Sequence, residues 1–285
     1  MSDAAFPSEG EAGRAAHALA AIRVAGGVRV GVAAREDSGT RLAILEERGG
    51  YRVRFPTPER SGVEAVVINT GGGVVGGDHV RQEIQVPGGD LTVATQAAER
   101  MYRSLGPSAE IDVALDVGPG ARLDWLPQET ILFSGARLRR RFNVSLAATS
   151  RLLMVESLVF GRTASGEVLG DGLLQDQWRV RRDGRLVFAE AMRLECNLTQ
   201  LLARNAVGSG ATAAAVLLLV GPDAEDFRDP VRASLAGARC DCGVSAWNGM
   251  LTVRMLGRVA SDLRAKVAVV TQLLAGRALP RVWSL

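Results

Sequence analysis

Alternation with a period of two, cut again and again by turn residues, is the feature that most narrows the folds open to this chain. Ile111, Val113, Leu115 and Val117 alternate with Asp112, Ala114 and Asp116, and the run halts at Gly118-Pro119-Gly120. Leu138, Phe142, Val144 and Leu146 share one face of a second run while Arg139, Arg141, Asn143 and Ser145 take the other. Trp178 and Val180 lead into Asp183-Gly184, Leu186 and Phe188 lead out, and an Asp-Gly pair between alternating runs is the favoured two-residue hairpin loop. An extended, sheet-built protein follows. The C-terminal part is the exception. Leu256, Val259, Ala260, Leu263, Val267, Val270 and Leu274 recur at helical spacing, with Gly276 and Pro280 as stop signals. That amphipathic helix has two uses open to it, packing on the sheet or docking a helical partner.

The densest glycine cluster lies in Val67-Ile68-Asn69-Thr70-Gly71-Gly72-Gly73-Val74-Val75-Gly76-Gly77-Asp78. Such a loop needs positive φ angles or a close backbone approach that a Cβ would block. Gly71, Gly73 and Gly76 formally satisfy the G-x-G-x-x-G of a dinucleotide site, which makes a nucleotide-dependent oxidoreductase one alternative. That site also needs a helix opening at the loop, whereas Val80 to Val86 alternates as a strand. No Walker ending follows, and Lys266 is the only lysine.

Of 34 basic residues all but Lys266 are arginine, a residue that binds carboxylates bidentately and suits protein interfaces. Arg137, Arg139, Arg140 and Arg141 are the densest group. With aromatic residues at 5%, stacking partners for nucleic acid are lacking, so a solvated face or an acidic protein partner is the better reading. The run Ala211 to Val220 is too short to span a membrane and reads as a buried strand. The acidic start, Met1 to Pro7, resembles neither a secretory signal nor a transit peptide, and a cytoplasmic location is expected. Residues 1–16 read as a poorly ordered tail before one β-rich domain over 17–285. Cys240-Asp241-Cys242 is a soft-ligand pair or an incidental turn, with only His17 and His79 to complete a zinc site. Glu156 is the odd acid, set within the apolar run Leu152 to Val155. A buried carboxylate needs a partner, and Arg162, six residues on, is the nearest candidate in sequence.

Four blocks in order carry a family resemblance: Asn69 to Asp78; Ala94-Thr95-Gln96-Ala97-Ala98 with Tyr102-Arg103-Ser104; Trp125 to Phe133; and Glu156 to Arg162 with Ala164, Gly166 and Glu167. Together with the closing Leu279-Pro280-Arg281-Val282-Trp283, they resemble the urease accessory proteins UreD, also called UreH. The resemblance implies a mainly β, elongated, multi-sheet and β-helix-like single domain with one or two α-helices. It implies a non-enzymatic maturation factor that joins UreF and the GTPase UreG, binds apo-urease and helps insert nickel, while carbon dioxide carbamylates urease's active-site lysine. No cofactor would be tightly bound, and Ni²⁺ would pass transiently through a water-filled interior. Oxygen donors release Ni²⁺ more readily than imidazole or thiolate. Asp78, Glu156 and Glu167 are accordingly the candidate passage acids, with Thr95 and Gln96 as polar neighbours and Gly71, Gly72, Gly73, Gly76 and Gly77 as the backbone loop. Pro280, Arg281 and Trp283 are the candidate partner-binding end. A β-rich interaction scaffold unrelated to urease is the remaining alternative.

Overall fold

The computed structural model describes residues 23–36, 39–57, 62–162 and 165–284; the expected tail over 1–16, and His17, lie outside these. In chain order the strands are β1 (Ala25–Ala34), β2 (Thr40–Arg48), β3 (Tyr51–Arg54), β4 (Val63–Asn69), β5 (His79–Val86), β6 (Asp90–Thr95), β7 (Glu99–Met101), β8 (Ala109–Val117) and β9 (Arg122–Leu126). There follow β10 (Thr130–Leu132), β11 (Arg137–Leu146), β12 (Arg151–Phe160), β13 (Asp171–Arg182), β14 (Arg185–Asn197), β15 (Ala213–Val220), β16 (Cys240–Trp247) and β17 (Met250–Gly257). They build two sheets, ordered β14-β13-β11-β8-β5-β1-β2 and β16-β17-β15-β12-β9-β6-β4-β3.

From β4 to β13 the chain alternates between the sheets. β4, β6, β9 and β12 are parallel neighbours in one, and β5, β8, β11 and β13 are parallel neighbours in the other. Each successive pair is one coil of a parallel β-helix, and the mainly β, β-helix-like expectation holds. Antiparallel strands finish both ends. β13 and β14 meet at Asp183-Gly184, whose φ angles of 48° and 77° are those of a tight hairpin turn matched to strand twist.

The coils also stack at a corner. Val74 bridges to Met101, Met101 pairs with Leu132, and Leu132 pairs with Phe160, giving a buried column with one residue from each coil. The glycine cluster is the first of these corners, and its glycines answer to the coil beneath. A Cβ on Gly73, where φ is 153°, would lie 2.4 Å from the Tyr102 ring, and one on Gly76 would lie 2.0 Å from Ser104 Oγ and 2.3 Å from the Pro107 carbonyl. Close approach is therefore what Gly73 and Gly76 serve, while Gly72 and Gly77, at φ 76° and 93°, meet the need for positive φ.

Two cores result. Side chains from both sheets fill the interior, where Trp125 of one wall meets Phe142 of the other with ring centroids 6.5 Å apart. The helix Ala260–Ala275 covers the outer face of the second sheet, setting Leu263, Val267, Val270 and Leu274 on Leu153, Val155, Leu217 and Val253. Each such side chain is worth roughly 1.5–3 kcal/mol of transfer free energy. This is ordinary packing on the sheet, not a face left open for a partner. The helix begins later than its periodicity suggests, because Leu256 belongs to β17 and Val259 is extended, at φ −127° and ψ 114°. Gly276, at φ 63°, closes it as expected. β12 is thus covered on both faces, which explains its unbroken apolar run.

Candidate functional site

Strand parity puts charge inside the coil. On β11, Arg140 shares the inward face with Leu138, Phe142 and Val144; on β13, Asp176 lies between the buried Leu174 and Trp178; on β12, Glu156 lies between Met154 and Leu158. Arg140 and Asp176 are register neighbours, and Glu156 meets them from the opposite sheet. Arg140 Nη1 donates to Glu156 Oε2 at 2.7 Å and to Thr130 Oγ1 at 3.2 Å, and Nη2 donates to Asp176 Oδ2 at 2.5 Å. The Trp125 indole donates to Glu156 Oε1 at 2.7 Å. All three charged residues are at most 6% exposed. Burial pushes the Glu156 carboxyl up to about 7, against the pull of Arg140 and the indole. Burial also works against the Arg140 charge, but the two carboxylates outweigh it and hold its pKa above the ordinary value.

A second polar group continues the first. Glu99 on β7 is the register neighbour of Thr130 on β10. Its carboxylate accepts from Asn69 Nδ2 at 2.9 Å and from the Tyr51 hydroxyl at 3.3 Å. Burial raises the Glu99 pKa. Thr95, Gln96, Glu99 and Gln82 line a cavity of about 160 Å³, and Gln82 Oε1 is buried with no hydrogen-bond partner. Polar side chains therefore run through an otherwise apolar interior from Tyr51 to Asp176.

The pairing of Glu156 with Arg162 is overturned. Gly161, at φ 82°, turns the chain out of β12, so Arg162 lies outside the coil. There it clasps Glu167, Nε to Oε2 and Nη2 to Oε1 both at 3.1 Å, and covers the Phe133 ring at 4.4 Å. The Arg162 hydrogen bond holds the Glu167 carboxyl down at about 2. Asp78, 3% exposed, accepts from the backbone amides of Val24 and Val75 at 2.9 and 2.8 Å, tying the glycine corner to β1. Asp78, Glu156 and Glu167 are thus not one cluster. Among the described residues no three His, Cys, Asp or Glu side chains converge as a metal cage.

The glycine corner does not form a phosphate cradle. It leads into β5 and not into a helix, and the amides of Gly71, Gly72, Val74 and Gly77 are already donated to Asn69 Oδ1 and to the carbonyls of Asn69, Arg100 and Ser108. At the C-terminus Pro280 and Trp283 are buried, with the indole donating to the Leu126 carbonyl at 3.1 Å, and only Arg281 of the three partner candidates is exposed. Arg277 pins this segment by pairing with Asp90 and the fully buried Asp124. Cys240 and Cys242 lie on the edge strand β16, not in a turn, with sulfurs 3.2 Å apart. Burial and the neighbouring thiol push Cys242 up to about 12.

The charged node thus sits inside a coil of paired strands. Comparison with known proteins gives the family. The UreD urease accessory protein profile matches residues 24–284. A urease accessory protein UreD of Xanthobacter autotrophicus is 51% identical over 76% of this chain and 75% of its own length. That of Rhodopseudomonas palustris is 45% identical over 93% of this chain and 95% of its own, and that of Bradyrhizobium diazoefficiens 46% over 92% and 95%. The chain belongs to the UreD family of urease accessory proteins.

Proposed function

We propose that this chain is a urease maturation factor that works with UreF and the GTPase UreG on apo-urease, and that Ni²⁺, as cargo, passes through its interior. The observation that carries the reading is the polar path from Tyr51, Asn69 and Glu99 through Thr130 to Arg140, Glu156 and Asp176 inside an apolar coil. Oxygen donors of this kind hold a transition metal weakly enough to release it, and conduction requires entry without trapping. Glu156, buried inside the coil, is the passage residue this reading favours, and Thr95 and Gln96 line a cavity together with Glu99.

Asp78 and Glu167 serve the corners in this reading, and partner binding at the C-terminal end rests on Arg281 and not on Pro280 or Trp283. The test is reconstituted activation of apo-urease with UreF, UreG, nickel and bicarbonate. Glu156→Gln should lower activation several-fold while capture of UreF stays intact. Unchanged activation removes Glu156 from the route, and loss of UreF capture makes its role structural.

A further inference from the structure

Cys240 and Cys242 play no part in the maturation reading. They stand at i and i+2 on β16, so strand parity puts both sulfurs on one face, where they lie 3.2 Å apart. At about 3.3 Å of rise per residue their Cα atoms are roughly 6.6 Å apart, inside the range of about 4.4–6.8 Å that a disulfide spans. A bond of about 2.05 Å then needs the sulfurs to close by only about 1 Å. The strand is placed to yield that much. It is the edge of its sheet, paired to β17 alone, and Cys240 is its first residue. Cys242 is exposed and Cys240 half-buried, so both meet solvent.

The pair opens on a hollow of about 470 Å³ lined also by Arg232, Leu235 and Val244. Arg232, on the helix Arg228–Ser234, donates to the Val244 carbonyl at 3.1 Å, which holds its guanidinium at the strand. Lys266, the only lysine, reaches the Ser234 carbonyl at 3.3 Å from the helix Ala260–Ala275, and its charge acts on Cys242. Asp241 opposes it, but strand parity turns that carboxylate to the other face, and Asp229 is held by Arg228 at 2.9 Å. A dithiol between two cations suits an anionic partner. We propose that Cys240 and Cys242 form a reversible oxidation site whose co-substrate is an anionic low-molecular-weight disulfide of the glutathione class. Burial and the neighbouring sulfur hold the proton on Cys242, which donates to the Cys240 carbonyl at 3.3 Å, so Cys240 attacks first. Its thiolate breaks the S–S bond of oxidised glutathione and releases one glutathione, which takes up the proton that Cys240 gave to water. Cys242 then loses its proton, attacks the Cys240 sulfur and releases the second glutathione, so two protein thiols are oxidised as one disulfide is reduced. The inference goes beyond the maturation reading and does not rest on it.

The test uses the reduced full-length chain in defined mixtures of oxidised and reduced glutathione, quenched with N-ethylmaleimide and read by mass spectrometry. Trypsin cuts after Arg239 and Arg254, so residues 240–254 form one peptide that carries both thiols and leaves out Cys196. As the mixture becomes more oxidising, this peptide should pass from doubly alkylated to unalkylated and two hydrogens lighter, and dithiothreitol should return it. Cys242→Ser should trap a single glutathione on Cys240, whereas Cys240→Ser should gain adduct at least about three-fold more slowly, because the remaining thiol keeps its proton. Cystamine, a cationic disulfide, tests the charge of the site. The ratio of oxidised-glutathione to cystamine rates should be at least about three-fold higher for the folded chain at low salt than for the chain unfolded in urea, and Lys266→Gln should lower it. A peptide that stays doubly alkylated while Cys196 is already glutathionylated, or one that carries two glutathiones and no bridge, overturns the proposal. Equal ratios for folded and unfolded chains overturn the anionic class of the co-substrate, and faster adduct formation in Cys240→Ser than in Cys242→Ser overturns the order of attack.

Discussion

The corner of the coil and its interior use carboxylates in opposite ways. At the corner, Asp78 accepts two backbone amides, and Glu167 accepts those of Ser134 and Arg162 together with the Arg162 side chain five residues away. Both acids hold turns in place. In the interior, Glu156 is met by side chains from two other strands, Trp125 of β9 and Arg140 of β11, Arg140 linking it to Asp176 of β13, and no backbone amide donates to its carboxylate among the described bonds. A local acid fastens backbone, and at Glu167 the Arg162 hydrogen bond also lowers the carboxyl pKa. A distant one shares a single cation with another acid, and its proton is held far more tightly.

The largest effect should come from the interior. Arg140→Met leaves Glu156 and Asp176 buried without their cation, and breaking such a pair costs about 3–5 kcal/mol. Urea denaturation of the variant reads this directly, and a loss as small as that of a surface pair would mean that the interior is solvated like the corner. Next comes the corner's own weak point. Gly76→Ala drives a Cβ against Ser104 and the Pro107 carbonyl of the following coil, at a cost of about 1–3 kcal/mol for overpacking. Gly71→Ala, whose Cβ meets nothing nearer than Asn69 Oδ1 at 3.2 Å, should cost less, and equal losses would argue that loop entropy and not coil contact sets the requirement.

Much of this was legible in the residues. Alternation located the strands, Asp183-Gly184 the hairpin, and helical spacing the C-terminal helix. The interior node was within reach too, because placing Leu138, Phe142 and Val144 on one face places Arg140 there as well. Treating the arginine cluster as solvated hid it. Asp176 has the same parity as Trp178 and Val180. What no local pattern could give is the partner of Glu156, since the two walls meet only through the winding of coils of unequal length. The same inequality hid the repeat, although three of the four family blocks turn out to carry corner residues of successive coils, Val74, Leu132 and Phe160, and the second block flanks the remaining one, Met101.

The pH dependence of stability separates the two regions by sign. The folded Glu156 carboxyl, at about 7, lies above its ordinary value of 4.5. The folded state therefore binds the proton more tightly than the unfolded chain, and this contribution is fully present below about 4.5 and lost as pH rises through about 7. Glu156→Gln should flatten that part of the stability curve, read as thermal midpoints between these two values. A slope unchanged by the substitution would show that Glu156 stays ionised throughout, as Glu167 does.

Glu167 should show the reverse and the smallest response. Its folded value of about 2 lies below the ordinary 4.5, so its contribution is present above 4.5 and lost as pH falls through about 2. The Arg162 side chain is half exposed, and solvent screens such pairs until little net stability remains. Arg162→Ala should accordingly leave the neutral-pH thermal midpoint almost unmoved and alter only the acid limb of the curve. A marked loss at neutral pH would mean that the clasp over Phe133 holds the last corner together, and the contrast between a structural corner and a charged interior would then be one of position and no longer of strength.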